Sequence, residues 1–128
     1  MIQHRTSATT SEMVRWGMLS TSAIGRVTAA ALADVTGAAL AAVAGRDSAR
    51  AAAYATELDV PRSFGSYDAL LRDPQIDAVY VPLPIALHAE WTIEALRAGK
   101  HVLCEKPLAA KAGDVAACFD AAEEAGRH

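Results

Sequence analysis

Short apolar runs alternate with stretches of helical spacing along nearly all of this 128-residue chain, and that alternation narrows the folds open to it. Val14–Leu19 (VRWGML), Arg62–Phe64, residues 77–81 (DAVYV) and His101–Cys104 read as strands. Ala38–Ala44 (AALAAVA) fits strand or helix by composition, but its place between Gly37 and Gly45-Arg46-Asp47 argues for a strand. Helices are expected over residues 26–34, 49–58 (capped by Asp47 or Ser48), 67–73 (capped by Ser66), 87–98 (closed by Gly99) and Ala112–Ala125. Strands alternating with helices at this spacing predict an α/β fold: a doubly wound parallel sheet, Rossmann-like, with three αβα layers. One domain is expected over residues 13–128, and residues 1–12 (MIQHRTSATTSE) as a disordered leader.

Composition removes several partners. A formal net charge of −3 gives no electrostatic footprint for nucleic acid and no basic face for an anionic membrane. No apolar run reaches the roughly 18 residues of a bilayer span, and the leader lacks the apolar middle of a signal peptide. Cys104 and Cys118 fit neither a metal-ligand spacing nor a disulfide framework, so they read as reduced thiols in a cytoplasmic protein, with no metal site.

Ligands of such sheets bind beyond the carboxyl ends of the strands, where the strand order reverses. The distinctive short motifs all fall at such ends. Ser20-Thr21-Ser22-Ala23-Ile24-Gly25 stands where a dinucleotide fingerprint would lie; Gly25 matches its third glycine and serines replace the first two. Their hydroxyls, with free N–H groups at the helix start, could bind phosphate, although the run also reads as an ordinary strand–helix turn. Gly45-Arg46-Asp47 places an arginine where an acid would hold a free ribose hydroxyl. Its planar fork suits a phosphate, which favours NADP, with NAD as the alternative while Asp47 stands beside it. Pro82-Leu83-Pro84 locks the exit of the fourth strand as a loop over the expected nicotinamide end, and His88, in the first turn of the next helix, is a further cofactor-binding candidate, with an ordinary exposed helix residue as the alternative. Glu105 and Lys106 end the fifth strand; neighbours there point to opposite faces, so one is expected to be structural.

The runs RWGMLSTSAIG, AVAGRDSARAAAYA, SYDALLRDPQIDAVYVPLP and LHAEWTIEALRAGKHVLCEKPLA, in that order, resemble the N-terminal half of the Gfo/Idh/MocA oxidoreductases from about residue 14 to residue 126. The resemblance implies an NAD(P)-binding Rossmann domain and hydride transfer to or from a sugar, cyclitol or related diol or carbonyl compound. It also implies Lys106 as the catalytic lysine beside the nicotinamide, often with a cis peptide before Pro107. Ile85 stands where an asparagine is common, so one polar contact to the cofactor is expected to be missing. Family members continue with a sixth strand and an α/β substrate domain. A chain ending at His128 is therefore expected to bind the dinucleotide without turnover, and to carry an unpaired sheet edge open to homo-oligomer formation. The alternative is a non-catalytic dinucleotide-binding or interaction module.

Overall fold

The structure, a computed structural model, describes residues 13–128; the expected leader lies outside them. Five strands form one parallel sheet: β1 (Val14–Leu19), β2 (Ala38–Ala44), β3 (Arg62–Phe64), β4 (Ala78–Val81) and β5 (His101–Cys104), ordered β3-β2-β1-β4-β5. The intervening helices are α1 (Ala23–Leu32), α2 (Ser48–Leu58), α3 (Tyr67–Leu71), α4 (His88–Arg97) and α5 (Ala112–Ala125). A 3-10 turn, Ile85–Leu87, precedes α4.

Alternation along the strands builds a core on each face of the sheet. Leu19, Ala42, Ala44, Val79 and Val81 pack with Tyr67, Leu70 and Leu71 of α3 and Ala95 of α4. Their strand neighbours Met18, Val43 and Tyr80 point the other way, onto Tyr54 and Ala55 of α2. The expected three layers follow from this split.

Local chemistry sets most of the helix boundaries. The Asp47 side chain accepts from Arg50 N at 3.0 Å and starts α2; Ser66 Oγ accepts from Ala69 N at 3.1 Å and starts α3. One expectation is corrected. The first helix begins at Ala23 rather than at residue 26, because Ser22 takes the extended N-cap conformation and the small residues after it wind at once into helix. At the opposite edge of the sheet, Lys100 is buried and its Nζ donates to the carbonyls of Asp73 (2.6 Å) and Ile76 (2.7 Å). Burial pushes this ammonium below the ordinary lysine range, and Asp73 and Asp77 push back. The first lysine of AGKHVLCEKP is thus a clamp on the entry to β4.

Gly25 shows how closely α1 is seated. A Cβ there would lie 2.5 Å from Tyr54 Oη and 2.7 Å from Met18 Sδ, both on buried side chains. Gly25→Ala is expected to cost about 1–3 kcal/mol by overpacking. Gly113→Ala, which meets nothing within 4 Å in α5, is expected to gain about 0.5–1 kcal/mol. Urea unfolding of the two variants checks the contrast; equal effects would contradict it.

Candidate functional site

A cleft of about 400 Å³ opens over the carboxyl ends of β1, β2 and β4, lined by Ser20, Thr21, Ser22, Gly45, Arg46, Asp47, Arg50, Tyr67, Leu83 and Pro84. Three of the four motifs expected to meet therefore do meet. The serine-rich turn forms the floor. Ser20 N donates to Ala44 O at 3.0 Å, and Ser20 takes φ of 154°, a region L-residues rarely adopt. A serine occupies the first fingerprint position, in backbone geometry that suits glycine. Ser22 is the N-cap of α1 yet makes no capping bond, and its Oγ is buried without a partner among the described residues. The first turn of α1 thus keeps donors free at the cleft. Gly45 keeps the gap between the ends of β1 and β2 open, since a Cβ there would sit 3.2 Å from Thr21 Cγ2.

Ala23 and Ile24 are exposed on the first turn of α1 and do not line the cleft; Gly25 lies buried beneath it. On the second strand, Asp47 is occupied as the α2 cap, which leaves Arg46 and Arg50 as the cations of this rim. Sequence reasoning missed Arg50. Its signal was the cap itself, which fixes a helix start at Ser48 and so places Arg50 in the first turn, next to Arg46. Tyr67 was also missed. It is buried, set edge-on to Trp91 at 5.1 Å between ring centroids, and reaches the cleft only through tertiary packing.

The β4 and β5 exits adjoin the cleft differently. Leu83 and Pro84 line it, whereas Pro82 is buried and does not. Glu105 N donates to Val81 O at 3.1 Å and carries the β4–β5 pairing one residue further. The Glu105 carboxylate accepts from Tyr80 Oη at 2.6 Å and from Lys106 N at 3.2 Å. Glu105 thereby follows Tyr80 onto the sheet face that carries α1 and α2, while the Lys106 side chain is exposed. Neither lines the cleft. The Lys106–Pro107 peptide is cis. His88, a cofactor-binding candidate, is neither exposed nor part of the cleft lining. It is 1% exposed, with Nε2 2.6 Å from Leu83 O and Nδ1 2.7 Å from Pro107 O. With both ring nitrogens engaged by main chain, it supports the cleft from below.

Hydrogen bonding from Tyr80, then from Lys106 N, holds the Glu105 carboxyl below the ordinary range; burial, then Glu105 itself, pushes the Tyr80 hydroxyl up. Cys104 and Cys118 are free thiols. Among the described residues, no cluster of three or more His, Cys, Asp or Glu is disposed to hold a metal ion, and no helix is long and apolar enough to cross a membrane.

A carboxylate lowered in the folded state adds stability above its unfolded pKa and loses it as pH falls through its folded pKa. Tyr80→Phe is therefore expected to move the Glu105 titration up toward the ordinary carboxylate range and to bring the acid loss of this term to higher pH. A carbon-detected NMR titration of the Glu105 carboxyl reads the shift; an unchanged midpoint would show that Tyr80 does not hold it.

Comparison with known proteins agrees with this geometry. The family described as "Oxidoreductase family, NAD-binding Rossmann fold" (Gfo/Idh/MocA) matches residues 14–128. The chain is 50% identical over 111 residues to D-xylose 1-dehydrogenase (NADP(+)) 2 of Haloferax volcanii, covering 87% of this chain and 34% of that protein. It is 56% identical over 81 residues to a dTDP-3,4-didehydro-2,6-dideoxy-alpha-D-glucose 3-reductase of Streptomyces violaceoruber, covering 63% and 23%. A crystal structure of a 3-ketoreductase from Actinomadura kijaniata in complex with NADP superposes with a TM-score of 0.85 at 38% identity, covering 89% of this chain and 36% of that one. The chain thus spans about a third of the length of the first of these relatives. Matched along all but its first thirteen residues, it belongs to the Gfo/Idh/MocA oxidoreductases, of which it carries the NAD-binding Rossmann fold.

Proposed function

We propose that this chain binds NADP(H) in the cleft over β1, β2 and β4 and presents Lys106 for hydride transfer between the cofactor and a carbonyl or alcohol carbon of a sugar-like compound. The observation that carries the reading is the pairing, on one cleft, of the open N-terminus of α1 with Arg46 and Arg50. The residues fit the dinucleotide. Ser22 Oγ, buried without a partner, and the free N–H groups of the first turn of α1 suit the pyrophosphate. Gly45 leaves room for the adenosine ribose, and Arg46 with Arg50 suits a 2′-phosphate. Asp47 also lines the cleft with one carboxylate oxygen held by the α2 cap, and its other oxygen keeps NAD as the alternative. Leu83 and Pro84 would border the nicotinamide end, and Ile85, 45% exposed, offers it no polar group. The NADP named for the xylose dehydrogenase and the 3-ketoreductase supports the same choice over NAD.

When bound, the nicotinamide supplies the hydride acceptor or donor. The protein's part falls to Lys106 at the end of β5. Its ammonium donates a hydrogen bond to the substrate oxygen and gives up a proton as a carbonyl is reduced; in the reverse direction its neutral amine takes the proton as an alcohol is oxidised. Glu105, tied to Tyr80, fixes the backbone from which that side chain projects. The sugar compounds named for relatives support a polyol or its carbonyl form as the substrate class. Two free thiols and a nicotinamide cofactor suit a cytoplasmic setting.

Calorimetry with the two reduced cofactors tests the reading. NADPH is expected to bind more tightly than NADH. Arg46→Ala should weaken NADPH by about tenfold to a hundredfold, the loss of about 1.5–3 kcal/mol for a charged hydrogen bond, and change NADH little. Equal losses for both cofactors would remove the phosphate-reading role.

A further inference from the structure

His88 is one of only five polar or charged residues buried in the described chain, and both of its ring nitrogens face main-chain carbonyls. The two carbonyls belong to different segments. Leu83 O lies in the loop that borders the cleft after β4, five residues before His88. Pro107 O lies nineteen residues after it, directly beyond Lys106. A carbonyl oxygen only accepts, so each ring nitrogen meets its partner favourably only by carrying a hydrogen. An imidazole with one hydrogen would leave a lone pair aimed at a buried carbonyl at 2.6 or 2.7 Å.

We propose that His88 is a positioning residue: donating from both ring nitrogens, it fastens the Lys106–Pro107 segment to the Leu83 loop and so sets the catalytic lysine against the cofactor cleft. A further observation supports this. The Lys106 segment is tied from its other side by Tyr80 through Glu105, so His88 completes a two-point hold on residues 105–107. Hydrogen bonds from a charged donor are shorter and roughly twice as strong as neutral ones, which suits a residue that must hold two loops at once.

The inference rests on the proposed roles of Lys106 and the cleft, and its test separates the two. In the wild-type chain, labelled with nitrogen-15 at histidine, long-range correlation spectra at neutral pH are expected to show a hydrogen on both ring nitrogens of His88. A lone-pair signal at either nitrogen would overturn the proposal, and this measurement needs neither cofactor nor a variant. The second arm uses carbon-13 reductive methylation to resolve the Lys106 side chain. NADPH should shift that signal in the wild type. In His88→Asn, whose single amide nitrogen cannot reach both carbonyls, affinity for NADPH should fall by less than about tenfold while the Lys106 response disappears. An undiminished Lys106 response in a folded His88→Asn would contradict the positioning role. Absence of NADPH binding by the wild-type chain would instead count against the function proposed above.

Discussion

β1 pairs with β2 on one side and with β4 on the other, so the chain leaves its central strand in opposite directions on its two excursions across the sheet. Right-handed crossovers then force the helices of the first excursion onto one face and those of the second onto the other. At the point of reversal the carboxyl ends of β1, β2 and β4 open into the same crevice. The serine turn, the arginine pair and the proline loop share a cleft because of this winding. Gly25 is part of the same constraint: with no side chain, it lets α1 sit low enough on Met18 and Tyr54 for its first turn to reach the cleft floor.

The two ends of the sheet divide the work. At the amino end of β4, Lys100 is spent on two carbonyls and Asp77 on Arg15, so these charges hold strands in register. At the carboxyl ends, Arg46, Arg50 and Lys106 are exposed and Ser22 Oγ has no partner among the described residues. These three cations and Ser22 Oγ stand together at one end of the sheet, where a ligand can engage them. The family is described by an NAD-binding Rossmann fold, and the proposed function puts its dinucleotide at this edge.

Strands and caps were legible in the sequence because their causes are local. Asp47 and Ser66 bond main-chain N–H groups three residues on, and apolar runs of strand length between turn residues leave little choice of element. The start of α1 was misplaced because Ser22 caps by backbone conformation alone, which leaves no side-chain pattern to read. Arg50 follows from the Asp47 cap once that cap is taken as the helix start. Tyr67 and the buried role of His88 were not legible. Tyr67 reaches the cleft from α3 across the sheet, and His88 is defined by two carbonyls, which carry no sequence signature.

Amide chemical-shift mapping of the labelled chain with NADP tests most directly whether one crevice gathers these motifs. The expected perturbations cluster at residues 20–25, 45–50, 82–85 and 105–107, and leave the Lys100 end of the sheet unmoved. Perturbations centred on that opposite end, or confined to one strand exit, would contradict a shared dinucleotide cleft.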